Sequence, residues 1–199
     1  MSAAAITILK GMTRWEPNAR GRLVQAAMEL YSERGFEQTT VAEIAERAGL
    51  TERTFFRHFA DKREVLFAGA DALQELVVSA VAGAPESAAP IDAAVAGVQA
   101  AAALLQEGHE YSRLRQAIII ASAELREREL IKLASLSVAI SDALRGRGVP
   151  EPAAGIAAEV AIAVFRSAFE RWVADTGQED FAQLIRDSLE QLKAVTAGE

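Results

Sequence analysis

Apolar residues recur at spacings of three and four along most of the chain, which is the period of a helix with one buried face. The first helix is predicted from about Asn18 to Arg34, because Leu23, Ala27, Leu30 and Tyr31 fall on one stripe. We therefore expect an amphipathic helix in this part of the chain.

A second helix is predicted after a short break. Gly35 occupies the position where a left-handed C-terminal cap is expected, and Phe36 can fold back over the last turn. Thr40 and Glu43 form a capping box, in which each side chain accepts the other residue's backbone N–H, so the second helix begins there. Four apolar residues form its inner face: Val41, Ile44, Ala45 and Ala48.

A tight turn and a short third helix come next. Gly49 supplies the positive φ that the turn needs, and Leu50 fills the core. Thr51 caps the third helix, Glu52 to His58, and Phe55 and Phe59 form its buried side. Two short helices joined by a glycine turn are typical of a helix-turn-helix, which lays the N-terminus of its second helix in a DNA major groove.

The rest of the chain also predicts helices. A fourth helix begins at a second capping box, Asp61 with Glu64, and continues to about Val81. Proline and glycine interrupt the pattern at residues 83–90 and 146–152, and glycine does so again at 175–177. Five further helices are predicted, over residues 91–107, 110–124, 126–146, 152–175 and 178–195. No residue near 124–126 breaks a helix outright, so that boundary is the least defined of the nine-helix scheme.

Composition favours an all-α fold. Hydrophobic residues make up 51% of the chain, but aromatic residues make up only 6%. Many of the other hydrophobic residues are alanine, which is the best helix former and is depleted in strands. There is no cysteine, which excludes disulfides, thiolate metal sites and cysteine nucleophiles. The two histidines, His58 and His109, are far apart, and we find no phosphate-binding glycine loop, metal-ligand cluster or nucleophile motif. We therefore expect no catalysis, no cofactor and no metal.

Charge and hydropathy bear on partners and location. The longest uncharged run, Ala93 to Gln106, is shorter than the roughly 20 residues that span a membrane. The apolar stretch Ala3 to Leu9 precedes its first lysine, unlike a secretory signal. We therefore expect a soluble cytoplasmic protein without a membrane partner.

The net charge of −7 is unevenly distributed. Residues 1–66 hold ten Lys/Arg and nine Asp/Glu, a balance of +1, and residues 67–199 hold eleven and nineteen, a balance of −8. A nearly neutral segment with clustered arginines can face phosphates that an acidic one would repel. An ordinary solvated acidic helical surface would give the same count.

Residues 20–67 resemble the DNA-binding domain of the TetR family of bacterial transcriptional regulators. The resemblance is carried, without gaps, by Ala26-Ala27, Leu30-Tyr31, Gly35-Phe36, Thr39-Thr40-Val41, Ile44-Ala45, Ala48-Gly49, Thr54-Phe55-Phe56, His58-Phe59 and Lys62. It implies an N-terminal three-helix helix-turn-helix domain over residues 17–66. Residues 1–16 show no clear periodicity, and with Lys10, Arg14 and Trp15 they are expected to form a flexible arm. The resemblance also implies a helical effector-binding and dimerisation domain over residues 67–199.

The resemblance and the helical positions together assign roles at the DNA. Arg53 and Arg57 lie on the exposed side of the third helix, where a guanidinium can bind guanine O6 and N7, or else pair with Glu46 or Glu52. Thr40, Thr51 and Thr54 can cap helices, donate to phosphate, or both.

Other positions are assigned to the DNA backbone. His58 and Lys62 resemble family positions that bind phosphate. Phe56 replaces the usual Tyr and so lacks the hydroxyl that reaches a phosphate, but its ring can still contact a thymine methyl group. The predicted DNA-binding residues are Arg20, Arg22, Thr40, Thr51, Arg53, Thr54, Phe56, Arg57, His58 and Lys62.

The family resemblance predicts a homodimer through the last two helices. The residues expected at its interface are Ala154, Ala158, Ala161, Phe165, Trp172, Phe181, Leu184, Leu189 and Leu192. The same side chains could pack within one subunit instead, or serve both purposes. The residues expected to line an effector pocket are Leu104, Leu105, Tyr111, Leu114, Arg115, Ile118, Phe165, Phe169 and Trp172.

The resulting functional hypothesis is a ligand-responsive regulator. A dimer, by family habit a repressor, binds a pseudo-palindromic operator and is released by a small, partly apolar effector. Residues 115–129 are faintly similar to family members that sense fatty-acyl compounds, although their charge run also fits an ordinary solvated helix face. An acyl-type or other hydrophobic effector is expected. The fourth helix is the expected lever between effector and DNA. The alternative is a helical adaptor or interaction protein that does not bind DNA.

Overall fold

A computed structural model of the chain describes residues 18–175 and 179–197, and within them the regular structure is helical throughout. The predicted arm over residues 1–16 lies outside the described residues. The all-α prediction is confirmed, and the described part contains nine α-helices, as expected. The first three are α1 (Ala19–Arg34), α2 (Val41–Arg47) and α3 (Glu52–His58). The other six are α4 (Ala70–Ala82), α5 (Pro90–Leu105), α6 (His109–Ala121), α7 (Ala123–Gly146), α8 (Ala153–Ala174) and α9 (Phe181–Ala197).

The prediction of one continuous helix from Asp61 to Val81 is wrong. The Asp61 carboxylate does accept the N–H groups of Arg63 and Glu64, but the element that begins there is a 3-10 helix, Glu64–Phe67. Its side chains Val65, Leu66 and Phe67 are all buried. A turn at residues 68 and 69 separates this 3-10 helix from α4.

Two smaller expectations also need correction. Gly35 has the positive φ expected of it, 87°, but its ψ of 159° lies outside the left-handed helical region, in a conformation open essentially to glycine alone. The break between α6 and α7 falls at Ser122 rather than near residues 124–126. A second 3-10 helix, Gln106–Gly108, joins α5 to α6.

The chain divides into two compact units. Of the described residues, the first unit comprises 18–71 and 113–130, and the second comprises 72–112, 131–175 and 179–197. The first unit thus contains α1 to α3, together with the end of α6 and the start of α7. The boundary predicted at residues 66 and 67 remains a prediction.

The core of the first unit agrees with the predicted stripes. Leu23, Ala27, Leu30 and Tyr31 of α1 are all buried, as predicted for this face of the helix. Ile44 and Ala45 of α2 and Phe55 of α3 are buried as well. The predicted inner faces are therefore confirmed except at Val41, which is only partly buried, as is Leu50 in the turn that follows.

The second unit is built around α5, α8 and α9. In α5, Gly97 permits a close approach, because a Cβ placed there would lie 2.6 Å from Val81 Cγ2 and 3.0 Å from Val77 Cγ1 of α4. At the other end, Trp172 of α8 stacks on Phe181 of α9, with ring centroids 4.6 Å apart. Close backbone packing and aromatic stacking thus share this core.

Residues 64–82 form one stretch that is long and apolar enough, by length and composition alone, to cross a membrane. The turn at residues 68 and 69 interrupts its helical structure. Val65–Phe67 are buried in the first unit, and Val77 and Val81 belong to the core of the second. These five buried side chains therefore serve packing within the two units.

Candidate nucleic-acid interface

The geometry of α2, the turn and α3 results from local interactions. Thr40 and Glu43 form the expected capping box, with the Thr40 N–H donating to the Glu43 carboxylate at 2.8 Å. Gly49 has a φ of 64°, and the Leu50 N–H donates to the Ala45 carbonyl at 2.8 Å. These contacts fix the direction in which α3 leaves the turn.

The cap of α3 is also local. The Thr54 N–H donates to Thr51 Oγ1 at 3.2 Å, and the two hydroxyls lie 3.1 Å apart. The Thr51 hydroxyl therefore serves the helix terminus, while Thr51 itself remains exposed. Capping and phosphate binding are thus compatible at this residue.

One side of α3 is fully available to a partner. Phe55 is buried, whereas Arg53, Arg57 and Phe56 are exposed, the last with 56% of its surface accessible. The Phe56 ring packs edge-on against Phe55, with centroids 5.5 Å apart, and this contact restricts its orientation. The result is a helix face that carries two cations and one aromatic ring.

The alternative of local pairing for these arginines is not what the structure has. Among the described residues, neither Arg53 nor Arg57 forms a hydrogen bond or an ion pair, with Glu46, Glu52 or any other side chain. Their charge is therefore uncompensated within the described part of the chain, and both guanidinium groups keep all five N–H donors for a ligand.

Three other arginines of this segment are neutralised. Arg34 pairs with Glu43 at 2.9 Å, and Arg47 pairs with Glu29 and Glu33 at 3.3 and 3.0 Å. Arg63 pairs with Asp61 at 2.5 Å and with Glu124 at 3.1 Å.

These ion pairs lower the pKa of two of the carboxyl groups involved. The hydrogen bond from Arg47 lowers the pKa of Glu33, and the hydrogen bond from Arg63 lowers the pKa of Asp61. Positive charge is thus cancelled at these three arginines and left free on the exposed face of α3.

Two predicted backbone contacts flank this face. The Arg20 guanidinium lies over the Phe59 ring, 5.1 Å from its centroid, and Arg20 remains exposed. Arg22 is exposed as well, and its Nη1 would lie 3.8 Å from a Cβ placed on Gly49. Both arginines are therefore within reach of the elements that frame α3, one at its C-terminal cap and one at the turn.

Lys62, predicted to bind phosphate, is engaged elsewhere. Its ammonium group donates to the carbonyl oxygens of Phe36 at 2.9 Å and Thr39 at 3.0 Å, with Glu37 O at 3.5 Å. It also lies 4.2 Å from the centroid of the Phe36 ring. Its donors are thus satisfied by the α1–α2 loop, which favours a structural role over a phosphate contact.

Tyr31 completes this connection, which the sequence pattern did not predict. The Tyr31 hydroxyl donates to the Lys62 carbonyl at 2.7 Å, and its ring packs edge-on against Phe36. Burial, reinforced by the nearby Asp61 carboxylate, raises the pKa of Tyr31 well above its usual range. The available signal was a hydroxyl on an otherwise apolar stripe, which needs a partner when buried.

His58 is partly buried at the end of α3. Its Nε2 is buried and has no hydrogen-bond partner among the described residues. In this ring orientation a phosphate contact by His58 would have to use Nδ1. A phosphate contact by His58 therefore stays a prediction, and Nδ1 is the atom that would make it.

The residues expected at the interface lie mostly inside one chain. Eight of the nine are buried within it: Ala154, Ala158, Ala161, Phe165, Trp172, Phe181, Leu184 and Leu189. Leu192 packs against the same core and is only partly buried. These side chains therefore pack within one subunit, and their role at an interface stays a prediction.

The opposite face of α8 is the one that remains accessible. Ile156 is 61% exposed, Ala163 is exposed and Val160 is partly exposed. On α9, Val195 is 78% exposed. An interface on α8 and α9 stays a prediction. The accessible apolar side chains that could form it are Ile156, Val160, Ala163 and Val195.

The expected effector residues divide between the two units. Leu114, Arg115 and Ile118 belong to the first unit, whereas Leu104, Leu105, Tyr111, Phe165, Phe169 and Trp172 belong to the second. Phe165 and Trp172 are buried, and Phe169 and Leu105 pack against the same core. Trp172 carries an indole N–H that is buried without a partner among the described residues.

A ring contact closes this aromatic group. His109 lies edge-on to Trp172 with centroids 4.7 Å apart, and its Nε2 is 2.9 Å from the Trp172 carbonyl oxygen. His109 therefore acts as a packing and hydrogen-bonding partner of α8 in this structure.

Comparison with known proteins gives two family matches. A family model described as "Bacterial regulatory proteins, tetR family" matches residues 23–68, and one described as "MftR C-terminal domain" matches residues 88–197. The first match covers the helix-turn-helix segment, and the second covers more than half of the chain.

Individual relatives are more distant. The HTH-type transcriptional regulator TcmR of Streptomyces glaucescens is 35% identical over 109 residues, which are 55% of this chain and 48% of TcmR. The HTH-type transcriptional repressor KstR2 of Mycobacterium tuberculosis is 40% identical over 47 residues, 24% of each protein. The chain thus spans about half, or less, of the length of these curated relatives.

Solved structures share the fold across nearly the whole chain. The fatty acid degradation regulator FadR of Bacillus halodurans aligns with a TM-score of 0.62 at 18% identity, covering 90% of this chain and 96% of FadR. At this identity the likeness shows the fold and no more.

Proposed function

The chain belongs to the TetR family of bacterial regulatory proteins, and on that premise we propose that it is a DNA-binding transcriptional regulator that responds to a small-molecule ligand. The observation that carries this proposal is the exposed face of α3, where Arg53 and Arg57 have no partner within the described residues. Guanidinium groups held free on a short helix after a glycine turn suit bidentate contacts to guanine in a major groove.

The proposed contact set keeps nine of the ten predicted residues. Arg53, Arg57 and Phe56 would face base edges, and Thr51 with Thr54 would meet phosphate at the positive end of the helix. Arg20, Arg22, Thr40 and His58 would add backbone contacts. Lys62 is left out, because carbonyl oxygens already take its donors.

We propose that the protein acts as a homodimer. One recognition helix reads too few base pairs to find a site in a genome, and a two-fold dimer would present two of them about 34 Å apart on a pseudo-palindrome. The apolar, solvent-exposed side of α8 around Ile156 and Ala163 supports an interface on this helix. Such an interface would also explain why these apolar side chains lie at the surface.

The effector is proposed to be partly apolar, and repression is the proposed mode. A structure of FadR of Bacillus subtilis holds stearoyl-CoA and aligns with a TM-score of 0.56 at 20% identity, covering 86% of this chain and 96% of that one. This supports an acyl-type compound as the first class to test. Ligand would favour a conformation that releases DNA, with a coupling of about 1–3 kcal/mol as is usual for such switches.

A helical adaptor without DNA binding is the alternative, and the acidic balance of residues 67–199 is what favours it. It leaves the unpaired arginines of α3 without a role. The proposed regulator would act in the cytoplasm, where its operator lies.

Selection of duplexes from a random pool at low ionic strength tests the proposal directly. The wild type should enrich a pseudo-palindrome, and the double variant Arg53→Ala/Arg57→Ala should lose at least about tenfold in affinity, since each bidentate contact is worth about 1–3 kcal/mol. Arg113→Ala/Arg126→Ala is the matched control, because it removes the same charge from exposed positions of α6 and α7.

Two results would refute the regulator interpretation. One is a wild-type protein that enriches no sequence, which would favour the adaptor. The other is an α3 double variant that binds the selected duplex as tightly as the control variant does. Release of the selected duplex by fatty acyl-CoA is a separate test of the effector class.

A further inference from the structure

The corner formed by the end of α6 and the start of α7, residues 113–130, belongs to the same compact unit as the helix-turn-helix. It is anchored there by buried side chains. Ile118, Ile119 and Leu125 are buried, and so is Ser122 at the break between the two helices. We name this segment, residues 113–130, the α6–α7 corner.

Arg115 makes the densest set of contacts in the corner. Its Nε donates to the Leu66 carbonyl oxygen at 2.8 Å, and its guanidinium lies 5.0 Å from the centroid of the Phe67 ring. Its Nη1 donates to Glu129 at 3.2 Å, and Gln116 donates to the other oxygen of that carboxylate at 3.3 Å. Arg115 therefore joins the two helices of the corner to the Glu64–Phe67 3-10 helix.

Three further contacts surround this one. Arg128 pairs with Glu64 at 2.5 Å, and Arg63 pairs with Glu124 at 3.1 Å. Ser122 donates to the Glu37 carboxylate at 3.2 Å, which reaches the loop between α1 and α2. Charged or polar contacts therefore join the corner to the start of the 3-10 helix and to the loop between α1 and α2.

A continuous set of contacts leads from Arg115 to the DNA-reading helix. The 3-10 helix held by Arg115 comes directly after Lys62 and Arg63; Lys62 binds the α1–α2 loop, and Tyr31 binds the Lys62 carbonyl. The same loop leads into Thr40, the cap of α2, and α2 orients α3 through the Gly49 turn. A displacement of the corner would therefore be transmitted to α3 through groups that are already bonded.

We propose that the α6–α7 corner is an integral part of the DNA-binding unit, and that Arg115 is a positioning residue for α3 although it does not touch DNA. This inference rests on the proposed function for its meaning at the operator. It also changes the expected lever. The turn at residues 68 and 69 separates α4 from the 3-10 helix, whereas Arg115 and Arg128 bond the corner to that 3-10 helix directly.

The chain passes between the two units after Asp71, after Ser112 and after Leu130. The chain enters the corner at the second of these passages and leaves it at the third. A signal carried along the chain from the second unit therefore reaches the DNA-reading surface through α6 and α7 as well as through α4.

Operator binding tests the positioning role. Arg115→Ala should weaken binding to the selected duplex about tenfold, a typical effect for a residue that transmits coupling without touching ligand. The slope of log K against log salt should stay at the wild-type value, because every phosphate contact is retained. Arg113→Ala is the matched control: it is exposed on the same helix and, among the described residues, has no bonded partner.

Stoichiometric titration must show an unchanged active fraction, so that reduced affinity is not confused with unfolding. A second pair, Arg128→Gln against Arg126→Gln, repeats the comparison on α7. The positioning role is wrong if Arg115→Ala and Arg128→Gln bind the duplex as tightly as their controls, or if the salt slope falls with the affinity.

Native-state hydrogen exchange tests the membership of the corner without any DNA. Amides of Ile119 and Leu125 should open with the same free energy as those of Leu23 and Ile44, because one cooperative unit opens together. Exchange of Ile119 and Leu125 together with Ile140 of the second core would overturn the proposal. A wild type that selects no duplex would refute the proposed function and leave this exchange result standing on its own.

Discussion

At the scale of single residues, the most informative feature of the first unit is whether each Lys or Arg side chain already has a bonding partner. Residues of the same type have opposite roles: Arg47 is neutralised by two carboxylates, and Arg53 is left without a partner among the described residues. Lys62 differs from both, because backbone carbonyls satisfy it. Only the free cations can exchange counterions for phosphates when DNA binds.

Replacing Lys62 separates a structural role from a phosphate contact. Lys62→Met should lower the free energy of unfolding by about 1–3 kcal/mol, since hydrogen bonds from a charged donor are removed and carbonyl groups are left unmet. The salt slope of operator binding should not change. Urea denaturation and fluorescence anisotropy measure the two quantities.

Arg22→Met serves as the control for Lys62. It should leave stability nearly unaltered and reduce the salt slope by about 0.9 for each phosphate that the variant no longer neutralises. If Lys62→Met reduced the salt slope by the same amount and cost no stability, the phosphate role would stand after all.

Phe56 leads to a prediction about sequence preference. An exposed ring without a hydroxyl can contact a thymine methyl group, and that contact can be removed from the DNA side by replacing thymine with uracil. At one position of each half-site, uracil should weaken wild-type binding roughly fourfold, which corresponds to about 0.8 kcal/mol for one buried carbon. Competition binding with a set of singly substituted duplexes measures it.

The Phe56→Ala variant should bind the thymine and uracil duplexes with equal affinity, because it lacks the ring that contacts the methyl group. A wild type that tolerates uracil at every position would assign Phe56 to the sugar-phosphate backbone instead.

At the scale of elements, close approach between helices decides where small residues are required. Gly97 lies in α5 against Val77 and Val81 of α4, and a Cβ at that position would overlap their side chains. Gly146, at the end of α7, has nothing within 4 Å of the corresponding position and no positive φ. Two helical glycines thus differ in whether their surroundings require the absence of a side chain.

Alanine substitutions at these glycines should therefore diverge. Gly97→Ala should lower the free energy of unfolding by about 1–3 kcal/mol, the usual cost of an overpacked core. Gly146→Ala should be neutral or stabilise by up to about 1 kcal/mol, because it lowers the entropy of the unfolded chain.

Trp172 is a convenient probe for this measurement, because it is buried in the second core. Urea denaturation in a Trp15→Phe background reports its fluorescence alone, since the chain has two tryptophans. Equal midpoints for the two alanine variants would contradict the close approach of α4 and α5.

At the scale of the whole molecule, assembly depends on apolar residues that a single chain does not cover. The inner face of α8 is consumed by the core of the second unit, so only its outer face remains for a partner. Ile156 lies on that outer face with 61% of its surface exposed. Ile120 of α6 is exposed to nearly the same extent, 60%, but lies outside the proposed interface.

This difference gives a test of dimerisation. Ile156→Glu should convert a dimer into a species with the chain mass of 21.3 kDa, because a carboxylate would have to be buried at the interface. Ile120→Glu should leave the dimer intact. Light scattering after size exclusion measures the mass, and dissociation by both variants or by neither would argue against an interface on α8.

The fold class and the helix-turn-helix could be determined from the sequence by itself. Their signals are local: a capping box at Thr40, a glycine with positive φ at residue 49, and a stripe of period 3.6 in α1. Each acts over a few residues, so neighbours in sequence suffice to specify it.

The interactions that could not be predicted join residues that are far apart in the chain. Arg115 contacts Leu66, Lys62 contacts Phe36, and Trp172 stacks on Phe181. A charge or a ring has the same appearance in sequence whether it is paired, buried or free. The partner is set by how the helices pack, and therefore the free arginines of α3 could be recognised as free only when the carboxylates around them had been located.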